Sequence, residues 1–275
     1  MFIKRLYIAL ISFSCYIVIW AIAKAKEKAM RGDNFMKVIG HRGASAYAPE
    51  NTLAAFRLAL EQGAHGIELD VMRTVDNRLA VIHDFTVERV SNGSGAVASK
   101  TIAELKALDF GVKYHKNYAN ERLPLLDEVL DFLSGNELLL NIEIKSMPGF
   151  YDEELNKLVA AAIDKSGLSD RIIISCFEHK ALTDMKKLRP GLKTAMLYSK
   201  AIDKVWEYAK EIGVDYIHPQ HQTIDKDCVA SCHANNIGVN AWTVNKPEDI
   251  MRMLDIGADA IITDKPDSAI ALLRG

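Results

Sequence analysis

Two histidines, three carboxylates and two cationic side chains stand out in this sequence because all of them lie in or just after short apolar runs. His41 and Arg42 follow Val38-Ile39-Gly40, Glu68 and Asp70 lie in GIELDV, His83 closes LAVIHD, and Asn141, Glu143 and Lys145 alternate through NIEIK. Residues two apart on a strand share a face. Glu68 and Asp70 therefore point the same way, as do Asn141, Glu143 and Lys145. If the ends of these runs are neighbours, three carboxylates converge. They repel one another, and without a counter-charge at least one must be protonated. A bound divalent cation resolves the conflict, and all-oxygen ligands favour Mg²⁺ or Ca²⁺ over Zn²⁺ or copper. A second reading needs no metal and pairs the acids with Arg42 and Lys145. Same-face acids inside a strand are costly without a strong cation, which weighs against it. Arg42 and Lys145 carry the positive charge a phosphate requires. His41 and His83 suit proton transfer near neutral pH.

Convergence of this kind needs a scaffold that gathers strand ends. From Lys37 on, apolar runs alternate with amphipathic stretches, the pattern of a parallel α/β sheet. Strands are predicted at 37–41, 66–71, 137–145, 171–177, 193–198, 215–220, 238–244 and 259–266. Helices are predicted at 51–63, 123–133, 152–167, 179–188, 203–213, 225–236 and 247–257. Eight strands with crossover helices predict an α/β fold, a (β/α)₈ TIM barrel, whose active site lies at the C-terminal strand ends. A doubly wound open sheet is the alternative. No G-x-G-x-x-G follows the first strand, so a dinucleotide site has no support.

LAVIHD (79–84) breaks the alternation. It follows GIELDV too closely for a parallel crossover and must form an antiparallel hairpin. A turn centred on Asp76-Asn77 sets Asp70 opposite His83, within one residue. Residues 85–122 then form an insertion, with a helix signalled by Thr101 and Glu104 as a capping box. Insertions of this length are usually functional or mobile.

HRG-x₅-PENT (41–52), ELDV (68–71), HD (83–84), NIEIK (141–145), WTVN (242–245) and ITDKP (262–266) together resemble the glycerophosphodiester phosphodiesterase family. The resemblance runs in order over about residues 37–270. It implies a TIM barrel with an insertion after strand two, and hydrolysis of glycerophosphodiesters to sn-glycerol 3-phosphate and an alcohol. Carried over by position, His41 and His83 resemble the family's acid/base pair, and Glu68, Asp70 and Glu143 its metal ligands. Arg42 and Lys145 resemble its phosphate-binding residues. Glu50 and Asn51 fall in its PENT segment as supporting residues, and Trp242 resembles an apolar pocket wall. The family also implies attack by the substrate's own 2-hydroxyl through a cyclic phosphate. Two departures, Asp76-Asn77 at the hairpin turn and Cys176 after Ser175, leave this set untouched.

The N-terminus reads differently. Lys4 and Arg5 precede an uncharged apolar run from Leu6 to Ala23, just long enough to span a bilayer. An uncleaved membrane anchor and a cleaved export signal both fit, the latter through small residues near Ala21, Ala23 and Ala25. The expected organisation is therefore a hydrophobic helix and linker over 1–35, then the barrel over 36–275 with its insertion at about 85–122. Attachment to a membrane would favour lysophospholipids over soluble diesters. A non-catalytic binding barrel is the remaining alternative, but no histidine or acid of the set is missing. A net charge of −2 with scattered Lys and Arg argues against a nucleic-acid partner. Cys15, Cys176, Cys228 and Cys232 lack zinc spacing and read as reduced thiols. His65, His115, His179, His218, His221 and His233 read as surface or supporting residues.

Overall fold

The computed structural model describes residues 35–147 and 149–274. Among these, nine strands form one sheet: β1 (Lys37–Gly40), β2 (Gly66–Arg73), β3 (Leu79–Val81), β4 (Leu139–Ile144), β5 (Ile172–Cys176), β6 (Lys193–Tyr198), β7 (Tyr216–Pro219), β8 (Gly238–Ala241) and β9 (Ala260–Thr263). All but β3 run parallel, and β1 pairs with both β2 and β9, which closes the barrel and excludes the open sheet. The helices are α1 (Leu53–Glu61), α2 (Ile102–Ala107), α3 (Leu126–Ser134), α4 (Glu153–Ser166), α5 (His179–Leu188), α6 (Val205–Ile212), α7 (Lys226–Ala234), α8 (Pro247–Ile256) and α9 (Pro266–Arg274).

Strand alternation separates two apolar regions. Val38, Ile67, Leu69, Ile142 and Ile174 join the helices in the main core, whereas Ile39, Ala260 and Ile262 pack inside the barrel. The sheet thus buries both faces, as parallel barrels must. Glu68 and Asp70 belong to the interior face, with Asn141 and Glu143 beside them in register. The strand expected over 259–266 stops at Thr263, and Pro266 opens α9 instead. Proline lacks an N–H and its fixed φ suits a first helical turn.

The hairpin forms, in a register one residue from the centre of the expected range and within it. Val71 faces Val81 and Arg73 faces Leu79, so Asp70 lies opposite Ile82, not His83. The reason is the loop. Thr74 N donates to Arg78 O (3.0 Å), Asn77 N donates to Thr74 O (3.1 Å), and Asn77 takes a φ of 56°. This is a three-residue loop with a left-handed third position, centred on Asp76 rather than between Asp76 and Asn77.

The segment 85–122 is packed. Met72, Ala80, Ile82, Val87, Val97, Leu105, Phe110 and Leu123 make a small core of their own. The Thr101–Glu104 capping box opens α2 as predicted.

Residues 6–23, read above as a hydrophobic helix, lie outside the described residues. Among the described residues no helix is long and apolar enough to cross a membrane. The described chain enters at Phe35, whose ring meets His65 edge-on at 4.5 Å, just before β1 and away from the C-terminal strand ends. Cys176, Cys228 and Cys232 are free thiols.

Candidate active site

At the C-terminal ends of β2 and β4, Glu68, Asp70 and Glu143 each offer an oxygen within 4.8 Å of the other two. Asp70 and Glu143 are register partners. Glu68 and Asp70 are buried. Asn51 clamps Asp70 from the start of α1: its Nδ2 donates to Oδ2 (2.9 Å) and its Oδ1 accepts from the Asp70 N–H (3.3 Å). Lys145 Nζ lies 2.7 Å from Glu143 Oε1 and 3.3 Å from Asp70 Oδ1, and Arg42 Nε lies 3.4 Å from Asp70 Oδ2.

These two cations do not satisfy three acids. Burial resists ionisation of Asp70, but Lys145 first, then Arg42 and His83, hold its pKa down. Burial and then the charge of Asp70 push Glu68 up to about 8, and the same two causes raise Glu143. Asp70 Oδ1 is buried without a hydrogen bond. The pairing of acids with Arg42 and Lys145 is therefore present and incomplete. An all-oxygen set in which burial and mutual repulsion raise two of the three acids, and in which Asp70 Oδ1 has only the 3.3 Å ion pair to Lys145, fits a hard divalent cation.

The turn after β1 is shaped for this cluster. Arg42 adopts a left-handed φ of 55°, rare for a side chain of this kind. That conformation aims its backbone N–H at Glu68 Oε2 (2.8 Å), while its guanidinium reaches Glu50 Oε1 (2.9 Å). Asn51 is also left-handed, at φ 57°. Gly43 follows at φ 83°, and a Cβ there would come within 2.6 Å of the Ala55 backbone in α1. Gly43→Ala is expected to destabilise the barrel by about 1–3 kcal/mol, the scale of a strained backbone position, and to impair activity with it. Denaturant midpoints check this, and an unchanged midpoint would show that α1 can shift freely.

Each histidine leans on a carboxylate. His41 Nδ1 lies 2.6 Å from Asp264 Oδ1, and Ser45 Oγ and Asn245 Nδ2 hold Asp264 in turn (3.0 and 2.6 Å). Burial disfavours the charged His41 ring, but the Asp264 hydrogen bond and the charge of Glu68 prevail and raise its pKa. His83 Nδ1 lies 2.7 Å from Asp84 Oδ1. The sequence set Asp70 opposite His83 within one residue, but the carboxylate that engages this ring is Asp84. The observed register and the Lys145, Arg42 and Asn51 contacts commit Asp70 elsewhere, and Asp84 takes the orienting place. In both rings the carboxylate engages Nδ1 and leaves Nε2 for other work.

The structure gathers His41, Arg42, Glu50, Asn51, Glu68, Asp70, His83, Glu143 and Lys145 at one barrel mouth. Trp242 sits at the end of β8, with Nε1 donating to His218 O (2.7 Å) and its ring edge-on to Phe177 at 5.6 Å. It packs on Ile39, Ala260 and Ile262. Asp84, Asp264, Asn245 and Arg89 were not singled out from the sequence. Asp84 directly follows His83, and Asn245 and Asp264 lie in the WTVN and ITDKP segments, so their signal was present. His218 and His221 are buried rather than superficial. His218 Nε2 meets Asn240 Nδ2 at 3.0 Å, and burial drops its pKa to about 3.

Buried acids, carboxylate-backed histidines and paired cations at a barrel mouth suit hydrolysis of a phosphodiester, and comparison with known proteins places the chain in that class of enzyme. The model of the glycerophosphoryl diester phosphodiesterase family matches residues 41–268, and the chain belongs to that family. It is similar to a glycerophosphodiester phosphodiesterase of Caldanaerobacter subterraneus, at 44% identity over 86% of this chain and 97% of the relative. A glycerophosphodiester phosphodiesterase of Bacillus subtilis is 29% identical over 96% of this chain and 95% of its own. Among solved structures, an Oleispira antarctica phosphodiesterase in complex with the product sn-glycerol-3-phosphate superposes with a TM-score of 0.82. It is 29% identical and covers 87% of this chain and 97% of its own.

Proposed function

We propose that this enzyme hydrolyses glycerophosphodiesters to sn-glycerol 3-phosphate and an alcohol, using one divalent cation, Mg²⁺ or Ca²⁺, held by Glu68, Asp70 and Glu143. The observation that carries the reading is the pair of histidines, each backed by its own carboxylate, beside that under-neutralised triad. When bound, the cation supplies charge neutralisation at the phosphate and lowers the pKa of a neighbouring hydroxyl. Arg42 and Lys145 bind phosphate oxygens, and Glu50 and Asn51 hold Arg42 and Asp70 in place. Trp242 walls the pocket on its apolar side.

The glycerol 2-hydroxyl, adjacent to the phosphoester, attacks phosphorus. One histidine takes its proton at Nε2, and the other protonates the departing alcohol oxygen. The resulting cyclic phosphate is opened by water with the two roles reversed.

In this reading residues 1–35 form a hydrophobic segment and linker, and 36–275 the barrel with its insertion at about 85–122. Residues 6–23 tether the enzyme to a membrane, or direct its export if cleaved. The product held by the Oleispira relative supports glycerol diesters. The test is a panel of glycerophosphocholine, glycerophosphoethanolamine and lysophosphatidylcholine, each with Mg²⁺ and with Ca²⁺, on the full chain and on a chain lacking residues 1–35. Both forms are expected to cleave the soluble diesters, with the shortened chain soluble. Cleavage of lysophosphatidylcholine alone would replace the substrate reading. A shortened chain that fails to fold would place the apolar run in the barrel.

A further inference from the structure

Arg89 lies in the insertion, outside every motif considered above, yet it touches both halves of the site. Its Nε donates to Asp84 Oδ2 (2.5 Å), while NH1 and NH2 donate to Glu50 Oε2 and Oε1 (both 2.7 Å). Asp84 holds His83 through its other oxygen at 2.7 Å, and Glu50 holds Arg42 at 2.9 Å. One guanidinium thus spans two carboxylates, each of which orients a candidate functional side chain. We propose that Arg89 is a positioning residue that fixes the His83 ring and the Arg42 guanidinium relative to each other. This rests on the role assigned above to His83.

The chemistry favours arginine here. Five donors in a rigid plane can grip Glu50 in two parallel bonds and still reach Asp84, whereas an ammonium is a point donor. The Arg89 hydrogen bond, against the cost of burial and with help from His83, keeps the Asp84 carboxyl at about 2. Without Arg89, Glu50 and Asp84 become two like charges with no shared cation, and Asp84 is free to turn away from His83. The insertion has its own apolar core around Val87, Val97 and Leu105, which does not include Arg89. The Arg89 side chain is 48% exposed, so its ion pairs contribute little to stability.

The experiment compares Arg89→Ala, Arg89→Lys and His83→Ala in the full chain, loaded with Mg²⁺. Arg89→Ala is expected to lower kcat by roughly 10- to 100-fold, the scale of losing a group that orients another, with metal affinity and melting temperature held. Millimolar guanidinium is expected to restore part of that loss in Arg89→Ala and none in His83→Ala, since the space left at residue 89 is partly open to solvent. Arg89→Lys is expected to fall between Arg89→Ala and the parent chain. If Arg89→Ala does not fold, Arg89→Lys carries the test, and a parental kcat in it overturns the proposal. Parental kcat in Arg89→Ala, or a loss that guanidinium leaves untouched, also overturns it. A fully active His83→Ala would instead remove the acid/base reading on which the proposal rests.

Discussion

Replacing His41 or His83 with alanine is expected to lower turnover by about 10²–10⁴-fold, the usual contribution of a general acid or base, while leaving metal affinity nearly unchanged. Neither ring is among the three groups that converge within 4.8 Å, so the cation site survives their loss. Asp264 and Asp84 each engage Nδ1, so Nε2 is the nitrogen that would carry the proposed proton transfer. The internal-nucleophile scheme makes a sharper demand. A 2-deoxy analogue of the glycerol diester should bind and resist cleavage, because the attacking oxygen is missing. Steady-state assays with inhibition by the analogue measure both quantities. Hydrolysis of the analogue at the normal rate would mean direct attack by water, and the cyclic phosphate would be dropped.

Chelation is expected to abolish activity, and Glu68→Gln, Asp70→Asn and Glu143→Gln are each expected to weaken cation binding by at least about tenfold, the lower scale for losing even an outlying support of a metal site. Each change removes one negative charge from the triad. Titration calorimetry decides the matter, and full affinity in all three variants would remove the site. The same triad predicts how stability depends on pH. In the metal-free chain, burial and Asp70 raise the Glu68 pKa to about 8, well above an ordinary carboxylate. The folded state therefore holds an extra proton between the ordinary Glu range, about 4.5, and about 8. Stability contributed by the neutral carboxyl is full below that window and is lost as pH rises through about 8. Thermal melts across the window, with and without Mg²⁺, should show a decline that the cation removes. Glu68→Gln should show a smaller decline, leaving the part due to Glu143 and His41, whose pKa values are also raised.

Much of this architecture is a consequence of local pattern. Alternating apolar runs and amphipathic stretches demand a parallel sheet covered on both faces. The strict two-residue period places Glu68 with Asp70, and Asn141 with Glu143, on one face without any knowledge of neighbours. The short interval before LAVIHD forces a hairpin. The family resemblance adds the roles of Glu50, Asn51 and Trp242, which no periodicity could supply.

What the sequence left open turned on distances across the barrel. The hairpin loop, with Asn77 at a left-handed φ, set Asp70 opposite Ile82, next to His83, a choice within one residue that composition could not make. Asp264 is 223 positions from His41, and only barrel closure between β1 and β9 makes them partners. Arg89 reads as one more surface arginine until the insertion folds back and sets it between Asp84 and Glu50. The sequence by itself determined which side chains share a strand face and which chemistry they can perform, because strand geometry is local. The tertiary structure alone decided which carboxylate pairs with which histidine, because hydrogen bonds act over about 3 Å and depend on chain segments that meet only in the folded barrel.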